Sequence, residues 1–299
     1  MTAQAQARPR TLISDAQLNR GRGRVTYRVV LTLVIVIFTL VFIGPLYFLF
    51  SDGLKSTTEA VAVPPTLVPH HVLPGTYANA WNRVALGRLL LNTLYYAFGA
   101  LAFQLVFDVA AAYSLSRLRP ALGNVIFALM LATLMIPATV LVVPQYITVA
   151  NLPLLHVNLI GTPEAIWLPS VANAFNIFLL KRFFDSIPGE LLDAAAIDGA
   201  SPLRVLRSVV LPISRPILGV VSIFALVATW KDFLWPMLVE AGYSPTRETL
   251  NVGIWQAAQV APQNIVLAAS AMAAVPTLIF FLIFQRNIMS GLTAGSLKG

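Results

Sequence analysis

Residues 25–50 form an apolar run interrupted by a single charge, Arg28. A helix needs about 20 apolar residues to cross the hydrocarbon core of a bilayer, and this run is long enough. In lipid every backbone N–H and C=O must be satisfied by the protein itself, which limits spanning segments to helices or a closed barrel. Runs of helical length recur at about 89–115, 125–147, 165–184, 217–239 and 265–284. The expected fold is therefore all-α, a polytopic membrane protein of six transmembrane helices. Composition agrees: 58% of the residues are hydrophobic and 11% charged, which excludes a water-soluble globule. A secretory signal would carry a shorter apolar core with a small-residue cleavage site, so the first run reads as a retained span. Before it, residues 1–24 hold Arg8, Arg10, Arg20, Arg22 and Arg24 among few apolar residues, and are expected to be a disordered cytoplasmic tail. Residues 25–299 form one membrane domain. The absence of cysteine excludes disulfides, thiolate metal ligands and a cysteine nucleophile.

Six spans put both termini on one side of the membrane, and charge identifies that side. Of the 20 Lys and Arg, only Lys55, Arg83, Arg88, Lys231 and Arg247 fall in loops on the opposite face. Excess Lys and Arg mark the cytoplasmic side, so both ends are expected there, in a bacterial inner membrane. This topology also explains the net charge of +8 without nucleic acid as a partner; the surrounding partner is lipid. The loop at 51–86, rich in proline, lies outside, with Tyr77 and Trp81 as expected interfacial anchors. His70 and His71 have no third ligand nearby in sequence, and no metal site is assigned to them.

Within the spans a few polar or rigid residues stand out. Pro137 and Pro144 are seven apart on the third span, where they should bend it and turn freed carbonyls inward. Asp108 is the lone acid well inside the second span, and an intramembrane acid has two readings. It can be a polar point on a solute path, or a carboxylate hydrogen-bonded to a neighbouring helix. Its depth, about 14 Å from Arg117 at the helical rise per residue, favours the second. Asn173 and Asn176 form a polar stripe that suits helix–helix hydrogen bonding as well as a path. Trp230 and Trp235 read as interface anchors before sugar-stacking platforms. Asp108, Asn173, Asn176 and Trp230 are the candidate path residues.

The stretch 186–212 is polar in a patterned way. Pro188 can open a helix and Gly199 can end it; Ser201 can cap a second helix that begins at Pro202 and stops at Pro212. Leu192, Ala195, Ala196 and Gly199 share one face, small enough for another backbone to approach. The two short helices make a helix–turn–helix hairpin on the cytoplasmic side. Its residue order is an acid followed by two alanines at Asp193-Ala194-Ala195, then Gly199, an aliphatic at Val209, and Leu211-Pro212. That order resembles the coupling loop of ABC-importer permease subunits, with Asp193 and Val209 in place of the family's Glu and Ile. The string through Asp198-Gly199-Ala200 is similar to the carbohydrate branch, typified by the second permease of the maltose transporter. So are Trp230-Lys231-Asp232-Phe233 and the ending from Gln285, although the family commonly has Asn at position 231.

The resemblance implies a permease subunit of a binding-protein-dependent importer for a sugar or sugar-like solute. Its coupling residues would be Asp193, Ala194, Ala195, Asp198, Gly199, Ala200, Leu211 and Pro212. Its partners would be a second related permease, a pair of ATPase subunits and an extracytoplasmic solute-binding protein. Within transport the alternative is an importer of glycerol phosphate esters. A secondary transporter, which normally carries several intramembrane ionisable residues, and a membrane-embedded assembly protein rank below it. The sequence holds no Gly-x4-Gly-Lys-Ser/Thr phosphate loop and no hydrolase or metalloprotease motif, so the chain is not read as an enzyme and has no cofactor of its own. ATP and Mg would sit on the partner ATPase. The purified, partner-free chain is therefore expected to release no phosphate from ATP above a protein-free blank; measurable turnover would contradict this division of labour.

Overall fold

The computed structural model describes residues 21–240, 242 and 246–294, and every regular element among them is helical. In chain order these are α1 (Gly21–Asp52), α2 (Gly75–Arg83), α3 (Leu86–Tyr113), α4 (Gly123–Thr133), α5 (Ala138–Ala150) and α6 (Ala174–Asp185). There follow α7 (Gly189–Ile197), α8 (Pro202–Ile213), α9 (Arg215–Lys231), α10 (Leu234–Val239), α11 (Leu250–Ala257) and α12 (Gln263–Ala294). Residues 21–24, expected in a disordered tail, form the first turn of α1 instead. Residues 1–20 of that expected tail, and 295–299 of the C-terminal ending, lie outside the described residues.

Among the described residues three helices are long and apolar enough to cross a membrane, Gly23–Asp52, Leu86–Leu118 and Gln263–Phe280; two bent pairs raise this to five if each counts as one span. The first pair is α4 with α5, bent by 109° just before Pro137, where the sequence pointed. The second is α8 with α9, bent by 83°. The expected fourth span does not form one helix. It is a short turn of helix at Glu164–Trp167, a 3-10 turn at Leu168–Ser170 containing Pro169, and then α6, which starts afresh with the Asn173 side chain accepting the Asn176 N–H at 3.1 Å. An Asx cap begins a helix, so Asn173 marks a break, not a mid-span stripe. The expected fifth span also breaks, between α9 and α10. Pro236 accounts for it, because its ring would clash with the carbonyl four residues back, at Asp232.

The helix α3 is the centre of the bundle, packed against α6, α9 and α11. Its buried face is made of Leu86, Leu89, Thr93, Tyr96, Ala97, Ala100, Gln104, Asp108 and Ala112, at helical spacing. Small residues dominate where helices meet: Ala268, Ala269 and Ala271 of α12 are all fully buried. In lipid there is no hydrophobic drive between helices, so close backbone approach through small residues supplies the packing. Trp167 lies directly over Gly99, where a Cβ would overlap the indole ring, and its Nε1 donates to the Tyr96 carbonyl at 3.2 Å. By contrast the helix α1 is exposed along its apolar length, from Val25 to Ile43, and meets the body towards its C-terminal end, through α12 and the loop and helix that follow α1.

The loop after α1 is tied down by hydrogen bonds. Lys55, only 1% exposed, donates to Asp52 Oδ1 at 2.5 Å and to the Thr66 carbonyl at 2.6 Å. Glu59 Oε1 accepts the His70 N–H at 3.0 Å and the Thr66 hydroxyl at 2.9 Å, and the His70 N–H is the main cause that holds its carboxyl below the usual range. Tyr77, expected at the interface, donates to the Phe50 carbonyl at 2.8 Å and packs into the core. Trp230, also expected there, is buried at 6% exposure.

Overpacking a filled site typically costs about 1–3 kcal/mol. Replacing Gly99 by valine should therefore lower the thermal unfolding midpoint in detergent, and pairing it with Trp167→Ala should recover part of the loss. An unchanged midpoint for Gly99→Val would show that the indole does not close on α3 as described.

Candidate functional site

Two features stand outside the general packing: the α7–α8 hairpin, and a largely apolar cavity beside α3 that carries a few polar groups. The helix α7 ends in a Schellman motif. Gly199 has φ of +72°, its N–H donates to the Ala196 carbonyl at 3.0 Å, and the Ala200 N–H donates to the Ala195 carbonyl at 2.9 Å. These bonds satisfy carbonyls that the end of any helix leaves open, and the left-handed residue that closes the motif is usually glycine because it pays no Cβ penalty. Ser201 caps the next helix, its hydroxyl accepting the Arg204 N–H at 3.4 Å. Pro188 stands at the N-cap of α7 rather than inside it.

Pro212 does not stop α8. The helix passes through a π turn at Leu206–Val210 and continues to Ile213. The wider turn falls where the Pro212 ring would otherwise meet the Ser208 carbonyl. The small-residue face of α7 is also divided. Leu192 and Ala195 pack, with Ala200 and Leu211, against the chain's own core of Leu180, Phe184, Val205 and Val210. Exposed residues are Asp193, Ala194, Ala196, Ile197, Asp198, Gly199 and Pro212, with Ile197 at 86%. The hairpin thus presents two acids and an apolar tip on a conformationally fixed turn.

Of the four candidate path residues, Asp108, Asn173 and Asn176 come together and Trp230 does not. Asp108 is fully buried, and its Oδ1 accepts the Asn173 backbone N–H at 2.9 Å. Asn176, itself 2% exposed, sets its side chain against the same carboxyl. These three residues form one knot, which fixes the start of α6 on α3. Trp230 belongs to another cluster, with its ring edge-on to Phe280 at 5.4 Å.

A cavity of about 300 Å³ is walled by α3, α5, the turn at Leu168–Ser170, α9 and α10, with Thr93, Tyr96, Gln145, Ser170, Thr229 and Asp232 among its lining. Ala138, Thr139, Val142 and Gln145 place one face of α5 on it, so the proline-bent third span does border a cavity. Sequence reading missed Tyr96, Ser170 and Asp232 as lining. The available signal was the set of prolines 137, 169 and 236, each of which breaks a helix beside this space. The break after α9 is itself satisfied: Asn251 Nδ2 donates to the Trp230 carbonyl at 3.0 Å and to the Asp232 carbonyl at 3.3 Å. Among the described residues no group of three His, Cys, Asp or Glu is placed to hold a metal.

This combination of a broken-helix bundle and a capped, exposed hairpin has known counterparts. Residues 104–294 match the family model described as binding-protein-dependent transport system inner membrane component. The chain is 30% identical over 268 residues to the sn-glycerol-3-phosphate transport system permease protein UgpE of Yersinia pestis bv. Antiqua, covering 87% of this chain and 94% of that one. It is 29% identical over 271 residues to UgpE of Rhizobium meliloti, with the same coverage. Among solved structures it is similar, with a TM-score of 0.75 and 22% identity over 89% of this chain and 98% of the other, to a chain of a bacterial ABC transporter involved in the import of the acidic polysaccharide alginate. A second alginate transporter structure, in complex with a pentasaccharide-bound periplasmic protein, is similar with a TM-score of 0.63 and 15% identity over 89% and 96% of the two chains. The family model spans more than half of the chain, and the chain belongs to the family of binding-protein-dependent transport system inner membrane components, the permease subunits of ABC importers.

Proposed function

We propose that the chain forms one half of a translocation path for a sugar or sugar-like solute and couples it to separate ATPase subunits through the α7–α8 hairpin. It crosses the membrane six times: α1, α3, the bent pair α4–α5, the broken segment ending in α6, the pair α9–α10, and α12. Both termini and the hairpin face the cytoplasm, where most Lys and Arg fall. The observation that carries the coupling role is the turn at Asp193–Ala200, held by its Schellman bonds, with Asp193, Ala194, Ala196, Ile197, Asp198 and Gly199 exposed while Ala195 and Ala200 pack on the core. Asp193, Ala194, Ala195, Asp198, Gly199 and Ala200 form the docking element, with Leu211 and Pro212 holding its return helix. A second, related permease completes the path, ATP and Mg act on the ATPase pair, and an extracytoplasmic binding protein delivers the solute.

The cavity lined by Tyr96, Ser170 and Asp232 is this chain's contribution to the path, and its hydroxyl and carboxyl groups suit a polyhydroxylated solute. Asp108, Asn173 and Asn176 serve the path indirectly, by holding its broken fourth pass on α3. A glycerol phosphate ester is the second reading, supported by the UgpE relatives, whose names carry sn-glycerol 3-phosphate.

Substitutions at two positions test this reading. Gly199→Arg forces a side chain into a left-handed conformation that costs about 1–2 kcal/mol and places bulk on an open surface. The chain should remain in the membrane at near-normal level with its partner permease, while the ATPase no longer copurifies and uptake is lost. Normal ATPase retention, or loss of the chain from the membrane as the sole defect, would contradict the docking role. Asp108→Asn keeps an acceptor for the Asn173 N–H and should transport almost normally, whereas Asp108→Leu leaves that buried donor unpaired, at a cost of about 1–3 kcal/mol. Abolished transport in a stable Asp108→Asn protein would put Asp108 on the path itself.

A further inference from the structure

The hairpin is fastened at its entry and at the start of its second helix to one element, the C-terminal end of α3. Arg117 lies in the π turn Ser114–Leu118 that extends α3, and its Nη2 donates to the carbonyls of Phe184 and Ile187, the second at 2.8 Å. Those carbonyls stand where the chain leaves α6 and enters the hairpin. Tyr113, immediately before the π turn, donates its hydroxyl to the Pro202 carbonyl at 2.9 Å, at the first residue of α8. Between them the Ser116 hydroxyl donates to Asp185 Oδ1 at 2.7 Å, while Asp185 Oδ2 accepts from Lys181 at 2.8 Å.

Below these bonds, Ala112 and Tyr113 of α3 share one buried cluster with Leu180 and Phe184 of α6, Ile187, and Val205 and Val210 of α8. A guanidinium that donates to two carbonyls makes charge-assisted bonds without spending its charge on a carboxylate. Two π turns, Ser114–Leu118 and Leu206–Val210, meet at this cluster through Leu115, Leu206 and Val209. Such turns are rare and occur frequently at functional sites.

The geometry points to Arg117 and Tyr113 as positioning residues that make the hairpin and α3 a single lever. This rests on the proposed coupling role and adds the route by which a displacement of the hairpin enters the membrane. The helix α3 also carries Tyr96 and Thr93 into the cavity wall, about 25 Å from Tyr113 at the helical rise per residue. A hairpin moved by an ATPase would therefore move the cavity wall with it, whereas a hairpin held only by its two chain ends would swing freely.

The chain has no cysteine, so label pairs can be introduced without removing any. Spin labels at Ile197 and Val106, both exposed, report hairpin against α3; labels at Ile197 and Val260 report hairpin against the loop before α12. Distances are measured by pulsed electron resonance in the full complex in nanodiscs, nucleotide-free and trapped with ATP, Mg and vanadate. The lever predicts that the Ile197–Val106 distance keeps one narrow distribution in both states while the Ile197–Val260 distance shifts. In Tyr113→Phe with Arg117→Gln the first distribution should broaden and shift on trapping, and Arg117→Lys, which retains a donor, should narrow it again. A merely stabilising role would lower yield without making the first distance depend on nucleotide.

In the unsubstituted chain, a first distance that shifts as much as the second, or a hairpin that moves in neither pair, overturns the lever. So does a doubly substituted chain that keeps the narrow distribution. Absence of an ATPase from the purified complex would instead overturn the coupling role on which the lever rests.

Discussion

A backbone polar group left unpaired in hydrocarbon costs several kcal/mol, and this bundle breaks its helices repeatedly. Three helix ends are each answered by a side chain from elsewhere. The start of α6 is met by Asp108, which accepts the Asn173 N–H, and the end of α9 by Asn251, which donates to the Trp230 and Asp232 carbonyls. The C-terminal end of α6 is met by Arg117. Irregular backbone is tolerated at membrane depth only where it is buried in protein or lines a cavity. Here it does both: the turn at Leu168–Ser170 and the α9–α10 break border the same cavity, and the turn also packs on α3.

This places α3 at the mechanical centre. It holds the fourth pass through Asp108, the hairpin through Tyr113 and Arg117, and the cavity through Thr93 and Tyr96. Thr93 also accepts the Leu250 N–H at 2.8 Å, so α11 begins on α3 as well. The exposed length of α1 is the opposite case, an apolar helix that the rest of the chain scarcely covers.

What could be read from sequence was what local chemistry decides. Gly199 and Ser201 set the hairpin turn because helix ends need those residue types, and Pro137 bent the third span because a proline must. The breaks after Ser170 and Lys231 were also written locally, in Pro169, Asn173 and Pro236, but apolar runs of spanning length on both sides concealed them. Pro212 was read as a stop because a wider π turn that accommodates it has no sequence mark. Contacts between residues far apart were not legible: Asp108 with Asn173, Tyr113 with Pro202, Arg117 with Phe184 and Ile187. Nothing in the spacing of an acid or an arginine tells which carbonyl or N–H sixty or more residues away the bundle will bring to it. For the same reason Trp230 was placed at the interface, since burial is a property of the packed helices.

The central claim is that this chain is half of a heteromeric, ATP-driven importer, with docking and path but no ATP chemistry of its own. Native mass spectrometry of the chain, tagged and purified gently from its own membranes, tests it most directly. The expected particle contains one copy of this chain, one of a second, related permease and two of an ATPase. A particle made only of copies of this chain, stable and free of any ATPase, would contradict the claim.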